Sequence, residues 1–162
     1  MTSENNLDSW LDKESFRHIV ASTPLISIDL IVRNQVGQVL LGQRLNRPAQ
    51  GYWFVPGGRV RKDERLAAAF ERLTEDELGI RLSITTADFL GPFEHFYPDN
   101  FSGSDFSTHY VVLGYELISG TSLDTLPVEQ HSHYQWFTVQ ELLASEQVHP
   151  HTKLYFLHRN ES

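Results

Sequence analysis

No cysteine occurs among the 162 residues of this chain. Disulfide bonds and thiolate sites are excluded, an absence that suits a cytoplasm. Basic residues are outnumbered: 13 Lys and Arg stand against 21 Asp and Glu, for a formal net charge of −8. Such a chain repels nucleic acid at long range, and no block of Lys or Arg offsets this. No apolar run is long enough to span a bilayer. The opening residues MTSENNLDSW lack the basic and then apolar pattern of a signal peptide. Repeats and low-complexity linkers are missing as well. What remains is ordinary globular composition, 40% hydrophobic. The length predicts one domain over residues 1–162, with a polar, mobile stretch at 1–9.

The most informative stretch is residues 57–80, GGRVRKDERLAAAFERLTEDELGI. Its spacing predicts a helix over residues 64–78, with Asp63 as N-cap and Gly79 as the C-terminal stop. At about 3.6 residues per turn, Leu66, Phe70 and Leu73 form an apolar stripe, and Glu77 continues its line beside Asp76. A carboxylate at the end of a buried stripe is costly unless it is paired or holds a metal. Acids at a helix C-terminus also oppose the helix dipole. An exposed last turn is the bland alternative; a bound cation is the sharper one.

The rest of the chain predicts alternating elements. A helix carries Phe16, Ile19 and Val20 and stops before Pro24. ISIDLIVRN and QVLLGQR read as a hairpin around NQVG, and YWFVP as a short strand. LSITTADFLGPFEHFYPDN reads as a strand kinked at Gly91 and Pro92, followed by a polar loop, PDNFSGSD, able to act as a lid. STHYVVLGYELI and YQWFT are further strands. A Thr138/Glu141 capping box starts one helix, and a short final helix follows. Asp29 sits inside the first strand among Ile28, Leu30 and Ile31, to be paired with an Arg or placed against a substrate hydroxyl. Basic residues gather on either side of the glycine pair, which suits a small anionic ligand. Arg44 and Arg59 there are placed to clamp phosphate. Of the eight histidines, His18, His149, His151 and His158 read as surface residues.

The stretch 57–80 resembles the Nudix box, in which Gly, Glu, Arg-Glu, Glu-Glu and Gly-aliphatic recur at fixed spacing. Gly58, Glu64, Arg72, Glu77, Gly79 and Ile80 occupy matching positions, and Asp76 stands in for one acid. Leu73 replaces the first metal-binding Glu of the box, and Thr74 replaces an aliphatic residue. The segments LGQRLNRPAQGYWFVPGGR, HFYPDNFSGSDFSTHYVVLGY and EQHSHYQWF extend the similarity to the GDP-mannose mannosyl hydrolases, a Nudix family that shares the missing Glu.

The resemblance implies an α/β Nudix fold, with a mixed curved β-sheet sandwiched between helices in three layers (α/β/α). It implies one Mg²⁺ per site, with Mn²⁺ as a substitute, held by the carbonyl of Gly57, by Glu77 and by Gln130. It implies His131 as the general base, and Arg44, Arg59, Tyr110 and Arg72 as charge-stabilising groups. Trp10, Leu11 and Phe16 from the N-terminal arm, with Asp29, Arg44, His95 and Tyr97, are then candidates for substrate contacts. The implied substrate is GDP-mannose, cut at the sugar C1 with inversion, by a cytoplasmic homodimer that binds neither nucleic acid nor membrane. Two other readings stay open: a pyrophosphohydrolase that attacks phosphorus, and a non-catalytic nucleotide-binding domain.

Overall fold

In the computed structural model, residues 11–119 and 131–157 are described. Helix α1 spans Lys13–Ser22 and strands β1 and β2 span Leu25–Arg33 and Val39–Arg44. Two short strands follow, β3 (Trp53–Phe54) and β4 (Gly57–Arg59), and then helix α2, Leu66–Leu78. After a 3₁₀ turn at Ile84–Thr86 come β5 (Asp88–Tyr97), β6 (Thr108–Ile118) and β7 (His131–Phe137). Helices α3 (Val139–Ala144) and α4 (Pro150–Leu157) complete the described chain. No helix among the described residues is long and apolar enough to cross a membrane.

Strand β1 is the centre of the sheet, and its alternation makes the layers. Ile28, Leu30 and Val32 point to one face and pack with Ala69, Phe70, Leu73 and Leu78 of α2. Ile31, one residue out of phase, joins Leu142, Tyr155 and Phe156 of α3 and α4 on the other face. A period of two residues thus serves two cores from one strand, as the α/β/α expectation requires. The sheet is mixed: β1 runs parallel to β6, and the other pairings are antiparallel.

The β1–β2 hairpin is shorter than the sequence suggests. Its turn is held by Asn34 Oδ1, which accepts from the N–H groups of Val36 and Gln38. The two strands share only the Arg33–Val39 register and then part. Beyond it, Ser27, Ile28 and Asp29 pair with Arg59, Gly58 and Gly57 of β4. Strand β2 turns to β3 and β7. The predicted kink in β5 is a bulge between Phe89 and Gly91, where Gly91 adopts φ 116°.

Helix α2 starts later than its spacing predicts. Asp63 is not the N-cap: it has φ 64° in a preceding turn, and Arg65 caps without a side-chain bond. The reason is Glu64, whose carboxylate folds back to accept from the Arg61 N–H and from Arg72. Leu66 is exposed rather than part of the buried stripe, whereas Phe70, Leu73 and Glu77 are buried in line. Gly79 closes the helix at φ 75° with its N–H on the Glu75 carbonyl, as a C-terminal glycine does.

Candidate active site

A cavity of about 320 Å³ opens where β1 and β2 part, within the size range of small-ligand sites. It gathers most of the residues singled out from sequence: Asp29, Arg44, Gly57, Arg59 and Glu77, with His95, Tyr97 and Tyr110 from the far strands. Phe16 reaches it from α1, and Arg72 from α2. Leu11 is exposed and does not line it. Trp10 and Gln130 lie outside the described residues, as does the side chain of His131. The backbone of His131 opens β7 opposite Arg44.

The floor is acidic. Glu77 is 2% exposed, and its Oε1 lies 3.4 Å from the Gly57 amide. Leu73, one turn earlier on α2, is also buried and lies beneath Gly58. Both glycines are demanded by close approach. A Cβ on Gly57 would overlap the Ile28 carbonyl and sit 2.6 Å from Asp29 Oδ1, and one on Gly58 would meet Leu73. Gly57→Ala is therefore expected to cost about 1–3 kcal/mol of stability, the usual penalty of overpacking. Urea unfolding with an unchanged midpoint would contradict this close packing of β4 on β1.

Among the described residues Asp29 is not paired with an arginine, the structural alternative expected for it. Tyr155 donates its hydroxyl to Asp29 Oδ2 at 2.5 Å. Burial pushes the Asp29 carboxyl up to about 6, against the pull of Tyr155 and Arg44, and the nearby charge of Glu77 adds to the rise. The buried Glu77 and half-buried Asp29 carboxylates flank Gly57, and carboxylate oxygens are hard donors. No group of three or more His, Asp or Glu converges on one point among the described residues. That pattern fits Mg²⁺, which takes one or two carboxylates and fills its shell with phosphate and water.

The opposite wall is cationic and aromatic. The Arg44 guanidinium lies 3.9 Å from the Phe54 ring centroid and donates to the Pro48 carbonyl at 2.9 Å. Arg59 lies over Phe16 at 4.7 Å. Burial, with Arg61 and Arg72 nearby, lowers the Arg59 guanidinium from its usual value. Burial raises the Tyr110 phenol, so it is a hydroxyl donor at neutral pH. Arg72 is already engaged: it grips Glu64 through two bonds of 2.8 Å and donates to the Arg59 carbonyl at 3.0 Å. Its geometry is that of a brace between α2 and β4.

The loop after β5 is latched rather than loose. Arg17 bonds Ser102 and Asp105 from one side, and Arg47 bonds Asp99 at 3.0 Å from the other. Asn100, within the loop, is fully buried.

His149 and His151 correct the surface assignment made from sequence. Both are half-buried, and their rings meet at a tilt of 45° with centroids 4.5 Å apart. His151 lies parallel to His95 at 4.4 Å, and His149 stacks on Phe54 at 4.7 Å. His95 Nε2 is buried and meets no hydrogen-bond partner among the described residues. Burial and mutual repulsion lower His95 to about 3 and His149 to about 4. The unfolded chain takes these protons near pH 6.5, so stability falls with pH below that value until the folded imidazoles titrate. Asp29 acts in the opposite sense, because its raised carboxyl takes its proton first in the folded state. Comparison with His149→Phe separates the two. Wild type is expected to lose up to about 1.4 kcal/mol more per pH unit than this variant between about pH 6 and pH 4. Parallel stability profiles would contradict the neutral imidazole.

Sequence reasoning missed Tyr155, Phe54 and the histidine stack. Nothing local marks Tyr155, since it meets Asp29 across 126 residues of chain.

The NUDIX domain pattern matches residues 23–158. The low-salt glycan biosynthesis protein Agl8 of Haloferax volcanii is 40% identical over 143 residues, 88% of this chain and 86% of that one. A MutT Nudix hydrolase from Burkholderia pseudomallei has a similar structure, with TM-score 0.65 and 26% identity, covering 83% of this chain and 96% of its own. The NUDIX domain of Shewanella oneidensis NrtR, solved with ADP ribose, superposes with TM-score 0.64 at 21% identity over 99% of both chains.

Proposed function

The chain belongs to the Nudix family, and on that premise we propose that it hydrolyses GDP-mannose to GDP and mannose by attack of water at the sugar C1, with inversion. The observation that carries this reading is Leu73. It is buried against Gly58 at the cavity floor, in the place of the first metal-binding Glu of the box. Glu77 is then the one buried carboxylate of the box among the described residues. One buried carboxylate from the box suits a single ion that neutralises a leaving diphosphate. It suits less well the ion cluster that phosphorus attack calls for. The similarity to a glycan biosynthesis protein supports a nucleotide-sugar substrate.

Glu77, the Gly57 carbonyl and Gln130 would hold Mg²⁺, or Mn²⁺ in its place, and the ion would offset charge building on the diphosphate. The chain's own groups do the rest. Arg44 and Arg59 face the same developing charge, and Tyr110 offers a hydroxyl to it. Phe54, Tyr97 and Val112 give the cavity its apolar lining. His131 takes a proton from the attacking water on the face opposite the leaving group, as in inverting glycoside hydrolysis. No protein acid is required, because a neutralised diphosphate leaves without a proton. Phe16 and its arm contact the nucleotide, and Asp29, His95 and Tyr97 face the sugar end. The working unit is a homodimer in the cytoplasm.

Asp76 favours a second reading, since it too lines the cavity and adds an acid near Glu77. That reading is attack at phosphorus. Chromatography of the products separates the two: GDP and mannose support the proposal, and GMP with mannose 1-phosphate overturns it.

A further inference from the structure

We propose that His149 is a positioning residue for Arg44, acting through the ring of Phe54. Arg44 is held in an uncommon way. Among the described residues it has no carboxylate within salt-bridge distance, and it donates to a backbone carbonyl, that of Pro48. Its guanidinium rests on the faces of Phe54, at 3.9 Å, and Tyr97, at 5.7 Å. A cation so placed keeps its charge for an incoming anion, and the rings beneath it share with the Pro48 carbonyl the task of holding its position.

His149 makes Phe54 firm. Its own backbone is fixed twice: the His149 N–H donates to the Trp53 carbonyl at 3.1 Å, and its carbonyl accepts from Thr152 at 3.0 Å. Its ring is fixed as well. His149 is the N-cap of α4, with Pro150 at the first helical position, and its Nδ1 accepts the His151 N–H at 3.1 Å. The imidazole so held stacks on Phe54 at 20°. His151 and Tyr97 close around it, and His151 passes the stack on to His95.

The cap bond also sets the protonation state. An Nδ1 that accepts carries no proton, so the ring is the neutral Nε2–H tautomer. A helix N-terminus disfavours a cation there, and so does the charge of Arg44. Tyr52, Tyr97, His151 and, across His151, His95 are the other titratable groups around it. Burial keeps His95, His149 and His151 on the neutral side. A protonated ring would lose the cap bond and repel the arginine it serves.

The proposal rests on Arg44 meeting the diphosphate, so its test reads binding of GDP rather than turnover. His149→Asn keeps a capping acceptor and removes the stacking ring. His149→Phe keeps a ring and removes the cap. Affinity for GDP with Mg²⁺ is measured by calorimetry for both, each with and without Arg44→Met. His149→Asn is expected to weaken binding about tenfold in the wild-type background and less than about twofold beside Arg44→Met, because the two residues act as one unit. His149→Phe is expected to recover most of the loss. Equal losses in both backgrounds, or none in either, overturn the proposal. A wild type that binds GDP but leaves GDP-mannose intact overturns the hydrolysis at C1 and leaves this cycle to be read. A wild type that binds no GDP overturns both.

Discussion

Glu77→Gln is expected to remove Mg²⁺-dependent turnover, by on the order of 10³-fold, the scale of losing one preorganised charge at a reacting centre. The side chain is 2% exposed and aims at the Gly57 amide, so its carboxylate has no solvent to fall back on. Gln has the same shape and removes only the charge. Folding is therefore expected to survive, because a buried carboxylate stabilises little until an ion meets it. Glu75→Gln is the control. Glu75 is exposed on the outer side of α2, 3.6 Å from Arg81, and its variant is expected to keep full activity. Undiminished turnover in Glu77→Gln would remove this residue from the metal site.

His131→Ala is expected to lower kcat by about 10²–10⁴-fold, the range of a lost general base, with KM changed far less. Chemistry and topology point the same way. A diphosphate leaving group needs no proton, so the one proton in motion is that of water. The backbone of His131 begins β7 in register with Arg44, which lines the cavity. A raised KM with kcat intact would move His131 to binding and leave the base unassigned.

The sequence carried the layers and the box, and for clear reasons. Strand β1 carries apolar residues on both faces, with Ser27, Asp29 and Arg33 among them, as a doubly covered strand does. Gly79, the Thr138/Glu141 box and the line from Phe70 to Glu77 are local signals, and each occurs in the structure as read. The start of α2 was illegible because Glu64 turns back to Arg61 and Arg72, a choice set by a partner eight residues away. Leu66 follows from the same error of origin. The partner of Asp29 was illegible for a stronger reason: Tyr155 arrives from the last helix, and no spacing rule reaches that far. His149 and His151 read as surface residues because nothing local sets them apart from the other histidines of the chain. Their burial depends on β5 and β3 packing beside α4.

Hydrolysis of GDP-mannose in ¹⁸O-labelled water, with mass spectrometry of both products, tests whether carbon or phosphorus is attacked. Attack at C1 predicts label in mannose and none in GDP, with every labelled mannose formed by inversion. Label in a phosphate would contradict it, and the buried Leu73 would then have no bearing on which bond breaks.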